Sequence, residues 1–250
     1  MFDIKELLRV ALIGLVSGIT GTSAGGLLVF FINDISNKYL GFILEFAAGL
    51  MTAVVCTELI PESFRQGSLL SGLGGVLAGL AIVIFLERRI NRSKLMARGN
   101  AGRSRLLRAG LMVAIGLALH NFPEGFAVGS GFKASTGLGI TVTTVIMIHD
   151  IPEGIAMAVP MRAGGFSKAK SFFYTFLSGV PMGFGALFGA ALGSLSDYFI
   201  SVCLGFAAGA MLYIVFAELV PESKRLYLGR LSSLGNILGI ICGIIVSLYN

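Results

Sequence analysis

The sequence predicts an all-α integral membrane protein whose eight transmembrane helices form a single domain over residues 1–250. Composition is the first reason, because 55% of the residues are hydrophobic, 13% are charged and the mean hydropathy is +0.88. In soluble proteins about a quarter of the residues are charged. The second reason is that the chain contains eight apolar stretches, each near the roughly 20 residues that a spanning helix needs. The third is a repeat that relates the first three stretches to the last three.

The eight apolar stretches follow one another through short connections, which leaves no room for a separate soluble domain. The first stretch has a charged start, as a signal peptide does, but it is longer than the apolar part of a signal peptide and lacks a clear A-x-A cleavage site. It is therefore interpreted as a span. The predicted spans are residues 7–32, 40–62, 68–87, 108–130, 137–160, 171–194, 198–221 and 231–249.

The distribution of charge predicts the orientation of the spans. The chain carries a net charge of +6, and 15 of its 19 Lys and Arg residues fall on one side of the predicted membrane, eight of them between residues 88 and 108. By the positive-inside rule this side is cytoplasmic, so residues 88–107 form a basic cytoplasmic loop and both termini are extracytoplasmic. The excess of basic residues is thus attributed to membrane topology and to attraction to anionic lipid headgroups, and not to nucleic-acid binding.

The three cysteines of the chain all lie in predicted spans, and no two of them form a C-x-x-C pair. Cys56, Cys203 and Cys242 are expected to be small buried hydrophobic residues.

Residues 46–63 and 206–223, in the second and seventh spans, repeat each other at 11 of 18 positions. The charge count directs the second span outward and the seventh inward, so the repeat is inverted across the membrane. Many transporters are built from inverted repeats around interrupted helices, with the substrate site near the midplane. The fourth and fifth spans lie between the two three-span repeats, which predicts a 3+2+3 arrangement.

The fourth and fifth spans carry two near-copies of one polar motif, H-N-F-P-E-G at residues 120–125 and H-D-I-P-E-G at residues 149–154. Ionisable side chains at membrane depth are costly and are treated as functional by default. Each motif also contains a proline, which frees a backbone carbonyl one turn earlier, and a glycine, which permits close approach of helices. Such pairs of motifs indicate a cation site within the membrane.

The spacing within each motif places its polar side chains on one face of a helix, because residues three and four apart are neighbours. Two imidazoles and two carboxylates would meet at one point if the helices pack together, and an amide and a third carboxylate would lie beside them. Imidazole with carboxylate suits Zn²⁺, Fe²⁺, Mn²⁺ or Co²⁺ better than Mg²⁺ or Ca²⁺. The residues at the first point are His120, Glu124, His149 and Glu153, and the second point adds Asn121 and Asp150 to the same two glutamates.

Both copies of the long repeat end in E-L-x-P-E-S, and this element has two interpretations. In the first, its proline ends the helix and places Glu62 and Glu222 in the headgroup region. In the second, Glu58 or Glu218 lines a vestibule through which cations enter or leave.

Together, the paired motifs, the F-A-A-G-x-M and E-L-x-P-E elements and the eight-span layout resemble the ZIP (Zrt/Irt-like) family of divalent metal transporters, in particular its bacterial members with short loops. The resemblance covers nearly the whole chain. It implies transport of Zn²⁺, and often Fe²⁺, Mn²⁺ or Cd²⁺, into the cytoplasm through a bridged binuclear centre between the fourth and fifth spans. The primary metal would be held by His120, Glu124, His149 and Glu153, and the second by Asn121 and Asp150 with the two bridging glutamates.

The resemblance also implies a role for Met51, which matches a position that approaches the primary site in some relatives, although a thioether is a weak ligand and Met in a span commonly serves packing. Two departures from the family pattern stand out. Met182 occupies the place of a sixth-span Glu that adds to the second metal in relatives, so the second metal is expected to bind more weakly or not at all. The loop between the third and fourth spans is rich in Arg and contains no His, unlike the His-rich loop of many relatives.

Three functions remain open from the sequence. The chain is expected to be a carrier that works by alternating access, with the metal as its substrate and no cofactor. A passive metal-selective channel would use the same ligands. An intramembrane metal-dependent hydrolase would also need His and Glu at depth, but the chain has no H-E-x-x-H to place a general base beside metal-bound water. The oligomeric state is open, with a homodimer as one alternative.

Overall fold

The computed structural model describes residues 2–31, 35–91, 101–192 and 197–248, and it contains no strand within these ranges. Eight of its helical segments are long and apolar enough to cross a membrane, which confirms the predicted all-α fold with eight spans. Several spans begin or end a few residues beyond the predicted limits, because helical hydrogen bonding continues into polar end residues that hydropathy excludes. Residues 92–100 of the predicted basic loop lie outside the described ranges.

The spans are numbered 1 to 8 in chain order. Spans 1, 2 and 7 consist of more than one helical segment, and the other five are each a single α-helix. The bounds are Ile4–Gly26 and Leu28–Phe31 for span 1, Asn37–Val54, Val55–Leu59 and Ile60–Gln66 for span 2, Leu69–Asn91 for span 3, Ala101–Ala134 for span 4, Thr136–Ala163 for span 5, Lys168–Leu192 for span 6, Asp197–Ile214, Val215–Leu219 and Val220–Leu226 for span 7, and Arg230–Leu248 for span 8.

Spans 2 and 7 share an irregularity that sequence alone did not reveal. In each of them one π-helical segment, Val55–Leu59 or Val215–Leu219, directly precedes the segment that contains the repeated proline. The interpretation that this proline ends the helix is wrong. A π turn widens the helix by one residue, and the proline then sits in the first turn of the next segment, where its missing N–H is tolerated.

The spans pack into two groups. Spans 1, 4, 5 and 6 contact one another extensively and form the first group, while span 2 packs on span 8 and span 3 packs on span 7 to form the second group. The two groups meet mainly where span 4 lies against span 7 and span 5 against span 2. The two polar motifs therefore belong to one group. The 3+2+3 order, with its inverted orientation, stays a prediction about the chain.

Small residues bring span 1 close to its neighbours in the first group. A Cβ added at Gly18 would lie 2.6 Å from the carbonyl oxygen of Gly179 in span 6, and one added at Gly21 would lie 2.6 Å from Cβ of Asp150 in span 5. The close approach predicted for the motif glycines is confirmed, since Gly125 packs on the backbone of span 6 and Gly154 on that of span 1. Packing of this kind holds helices together in lipid, where apolar contact alone gives no preference for a protein neighbour.

The outward faces of the spans are apolar, as expected for surfaces that meet lipid. The predicted burial of the cysteines is wrong, because Cys56 is exposed and Cys203 and Cys242 are half-buried. Cys203 lines a cavity between the two groups of helices.

Candidate metal site

The six polar residues of the two motifs lie together in the interior of the protein. Span 4 contributes His120, Asn121 and Glu124. Span 5 contributes the matching residues His149, Asp150 and Glu153. None of the six is more than 6% exposed. The predicted gathering of imidazoles and carboxylates between the two helices is therefore present in the fold, and span 4 packs directly on span 5 to create it.

Glu124 connects the two histidines. One of its carboxylate oxygens, Oε1, lies 2.7 Å from Nε2 of His120 and 2.6 Å from Nε2 of His149. The two imidazole rings have centroids 6.2 Å apart. Ligand atoms of these three residues all lie within 4.8 Å of one another, a spacing that one transition-metal ion could bridge.

A second group of donors adjoins the first through His149. Ligand atoms of His149, Asp150 and Glu153 also lie within 4.8 Å of one another, and Nε2 of His149 is 3.9 Å from Oδ1 of Asp150. Glu153 thus lies with Asp150 and His149, as the sequence predicted for the second point, and it is not part of the group that His120 and Glu124 form with His149. The spacing within span 5 places Glu153 near His149 and Asp150, but its distance from His120 and Glu124 depends on the rotation of span 5 against span 4.

Most of the donor atoms have no hydrogen-bond partner among the described residues. Buried polar atoms without partners cost free energy and are rare in folded proteins, so a cluster of them indicates a ligand that the site is built to hold. All of these atoms belong to side chains that bind transition metals or cations through N or O. They are Nδ1 of His120 and of His149, Oε2 of Glu124, and both carboxylate oxygens of Asp150 and of Glu153.

Asn121 is held differently from the other five. Its Nδ2 donates a 2.8 Å hydrogen bond to the backbone carbonyl of Ser178 in span 6, and its Oδ1 is buried without a partner in the described structure. The bond fixes the amide so that Oδ1 is the atom free to act as a ligand. The sequence gave no sign of Ser178 in this role, because a backbone acceptor leaves no signature in residue type.

Span 1 supports the site, which the sequence interpretation missed. Gly21 leaves space for the side chain of Asp150, and Thr22 contacts Gly154 through its backbone. The signal was present as small residues at positions 14, 18, 21 and 25, a spacing that places them along one side of a helix.

The two methionines named from the sequence are both fully buried. Met51 lies in the main hydrophobic cluster together with Met157 and Met211, in agreement with a packing role. Met182 lies where span 6 approaches the site, against Gly18 and Gly125, and its sulfur is 3.5 Å from the hydroxyl of Ser17. Its side chain belongs to a second hydrophobic cluster with Val10, Val128 and Ile146, so this position supplies packing and no carboxylate.

The glutamates of the E-L-x-P-E-S elements lie away from this cluster. Glu218 is buried and forms an ion pair of 3.2 Å with Arg108, while Glu58 accepts a 2.6 Å hydrogen bond from the hydroxyl of Ser247. Glu222 is also buried, whereas Glu62 is partly exposed and pairs with Arg65, and their location at headgroup depth stays a prediction.

Comparison with known proteins agrees with this geometry. Residues 91–249 match the family model described as ZIP zinc transporter, which is more than half of the chain. The chain belongs to the ZIP family. ZIP relatives match it over almost their whole length: the zinc transporter ZupT of Corynebacterium aurimucosum is 33% identical over 84% of this chain and 85% of its own. ZupT of Akkermansia muciniphila is 30% identical over 96% and 97% of the two chains, and the zinc transporter GufA of Myxococcus xanthus is 31% identical over 94% and 98%.

Membership of the ZIP family decides between the classes of function left open by the sequence. The family consists of membrane transporters and not of enzymes, so the chain is a multi-pass membrane protein that transports divalent metal, and the hydrolase alternative is excluded. The predicted resemblance to bacterial members of the family is confirmed.

Proposed function

We propose that this ZIP protein carries Zn²⁺ into the cytoplasm through the buried site on spans 4 and 5. The observation that carries the proposal is the cluster of buried imidazole and carboxylate atoms without hydrogen-bond partners. A bare divalent cation at membrane depth needs both neutralising charge and replacement of its water ligands. Glu124 and Glu153 supply the charge, and His120 and His149 supply the nitrogen ligands that zinc favours.

The same donors bind Fe²⁺, Mn²⁺ and Cd²⁺, so these ions are proposed as further substrates. Affinity for one set of nitrogen and oxygen ligands follows a general order among first-row ions, in which Mn²⁺ and Fe²⁺ bind more weakly than Zn²⁺. Asn121 and Asp150, with the two glutamates, are proposed to hold a second and weaker ion. Met51 is proposed as an added soft ligand that approaches when the helices move.

We propose alternating access as the mechanism, with the first group of helices moving against the second. The site lies wholly within the first group, and open cavities of about 650 Å³ and 320 Å³ lie between the groups at opposite ends of spans 4 and 5. The smaller cavity reaches Pro123, next to Glu124, and is also lined by Glu62. Movement of the first group would connect the site with each side in turn, and protonation of His or Glu would favour release of the metal.

The proposed orientation places both termini outside the cytoplasm and the basic loop over residues 88–107 inside it. It follows from the positive-inside rule, and the carboxyl end of span 5 with Arg162 then faces the cytoplasm.

The oligomeric state is either a monomer or a homodimer, and the mass of the protein in lipid nanodiscs distinguishes the two.

Uptake of radioactive zinc into proteoliposomes tests the proposed function. The expected result is saturable uptake by the unaltered protein and by Glu6→Ala, an exposed control, and loss of uptake by Glu124→Ala. Undiminished uptake by Glu124→Ala would refute the proposed site. Unlabelled zinc on the far side should accelerate uptake if the protein is a carrier, whereas a channel shows no such stimulation.

A further inference from the structure

The cavity of about 650 Å³ between the two groups of helices has a charge that the transport of a cation does not explain. Four arginines line it, and Glu222 is the single acidic residue among the lining residues that the structure describes. Arg103 and Arg105 come from span 4, Arg162 from span 5 and Arg225 from span 7. The described part of the lining therefore carries three positive charges in excess, and they lie on both sides of the boundary between the groups.

The arginines are only partly neutralised by their neighbours. Arg105 and Arg225 share Glu222, at 3.6 Å and 3.4 Å from its Oε2. Arg103 forms no ion pair within the described part of the chain. Glu222 therefore leaves most of the positive charge of the described lining without an acidic partner among the lining residues.

Arg162 supplies a second, independent observation. One of its terminal nitrogens donates a 3.3 Å hydrogen bond to the carbonyl of Phe166, but its Nε is buried and has no partner among the described residues. A guanidinium has five N–H donors in a planar fork that matches the oxygens of phosphate. A buried donor of this kind without a partner is costly unless a ligand satisfies it.

The positive-inside rule explains why arginines occur at this end of the protein, but not why four of them converge on one cavity. A divalent metal ion in the cavity would be repelled by the excess charge. A phosphate group would be attracted, and the volume is in the range of sites that bind small molecules or lipid headgroups. The cytoplasmic leaflet, on the proposed side of the cavity, also contains anionic lipids with phosphate headgroups.

We propose that this cavity is a binding site for a phosphate group, held by Arg103, Arg105 and Arg162 from the first group and by Arg225 from the second. Because the bound anion contacts both groups, it stabilises their present arrangement against movement. The phosphate belongs either to a free anion or to the headgroup of an anionic lipid. The inference does not depend on which metal is carried, and it is tested without measuring transport.

Thermal unfolding of the full chain in lipid nanodiscs tests the site in two arms. In the first arm, inorganic phosphate is titrated against chloride at matched ionic strength in nanodiscs of phosphatidylcholine. In the second arm, phosphatidylglycerol replaces part of the phosphatidylcholine without added phosphate. We expect at least one arm to raise the melting temperature of the unaltered protein. A shift in the first arm identifies a free anion, and a shift in the second alone identifies a lipid headgroup.

The variants are Arg225→Gln and Arg162→Gln, with Arg230→Gln as the matched control. Arg230 begins span 8 on the same side but does not line the cavity. Loss of one charge-assisted hydrogen bond should weaken the apparent affinity about tenfold in the first two variants and leave the control unchanged. If either variant fails to fold, Arg103→Gln replaces it, because Arg103 is at an exposed position, and the same tenfold loss of apparent affinity is expected. No shift in the unaltered protein, or equal shifts in all folded variants, would overturn the proposal.

Discussion

Glu124 is the residue on which the site depends, because one of its oxygens lies within hydrogen-bond distance of both imidazoles. It joins span 4 to span 5 and brings negative charge to the point where the two histidines meet. Asn121 differs, since its amide is already fixed by the backbone of Ser178 and carries no charge.

Glu124→Gln should therefore weaken zinc binding much more than Asn121→Ala. We expect the loss at Glu124 to exceed the roughly 10–100-fold that removal of an outer partner of a metal ligand typically costs. Isothermal titration of the purified protein with zinc measures both affinities, with Glu6→Gln as the control. Equal losses in the two motif variants would contradict the assignment of Glu124 to the primary ion.

Met182 sets the expected strength of the second metal position. Its replacement by Glu is expected to bring a fourth carboxylate to the site, in addition to those of Glu124, Asp150 and Glu153, whereas Met182→Gln adds an uncharged group of similar shape. We expect the ratio of tightly bound zinc to protein to rise from one to two in Met182→Glu only. Metal analysis by mass spectrometry after desalting measures the ratio, and a ratio unchanged by Met182→Glu would contradict this explanation.

At the scale of single residues, the donors could be predicted from the sequence, but the exact distances between donors on different helices could not. The motif H-x-x-P-E-G fixes which side chains share a helix face, and all six are found buried together. The i,i+3 spacing predicts that Glu153 lies beside Asp150, but the distance of Glu153 from His120 and Glu124 depends on how span 5 is rotated, and the role of Ser178 depends on a backbone atom. Neither of these two features is encoded in the spacing within one segment.

At the scale of helices, glycine contacts hold span 5 in its place. A side chain at Gly154 would overlap the backbone of Thr22 in span 1, whereas one at Gly137, near the start of the same span, would meet no atom within 4 Å. Gly154→Ala should therefore lower the free energy of unfolding by about 1–3 kcal/mol, as overpacking does elsewhere. Gly137→Ala should leave it unchanged or raise it, since Ala favours helix.

Unfolding by titration with sodium dodecyl sulfate measures both glycine variants under the same conditions. Equal stability of Gly154→Ala and Gly137→Ala would show that spans 1 and 5 do not approach as closely as described.

The π turn of span 7 places Glu218 where it pairs with Arg108 of span 4, and Arg108 also lies 4.0 Å from Glu87 of span 3. Tyr213 donates a hydrogen bond to Glu87 within the same network. This network crosses the boundary between the two groups of helices. A carboxylate and a guanidinium that are partly removed from water are coupled more strongly than an exposed pair.

A double-mutant cycle with Glu218→Gln and Arg108→Gln should give a coupling energy of about 1–3 kcal/mol, measured by the same unfolding titration. The pair of Arg65 and Glu62, in which Arg65 is exposed and Glu62 is half-buried, provides the comparison, and about 0.2–1 kcal/mol is expected for it. Equal coupling in the two cycles would mean that the network does not hold span 4 against span 7.

At the scale of the whole molecule, composition and periodicity were enough to predict eight spans, but not their partners. Span 1 packs mainly on spans 4, 5 and 6, and not on span 2, which follows it in the chain. Apolar surfaces in lipid are alike, so the pairing of spans is decided by small residues and polar contacts that become visible only when the helices are placed. The likeness of residues 46–63 to 206–223 has a counterpart in the structure, because spans 2 and 7 both contain a π-helical segment just before the repeated proline.

The orientation of the molecule is open to a direct test. Single cysteines at Ala134 and at Ala169 report on the turns at the two ends of span 5, in a chain whose three native cysteines are replaced by alanine; both positions are exposed. A membrane-impermeant maleimide should label Ala134→Cys in intact cells and Ala169→Cys only after permeabilisation. The reverse pattern would place the termini and the basic loop on the opposite sides from those proposed.

The central claim is that transported zinc binds between spans 4 and 5, and anomalous diffraction from crystals grown with zinc tests it most directly. Data on both sides of the zinc absorption edge should give a peak in contact with His120, Glu124 and His149, and a weaker peak, if any, beside Asp150. A strong zinc peak elsewhere in the protein, with none at these residues, would contradict the account.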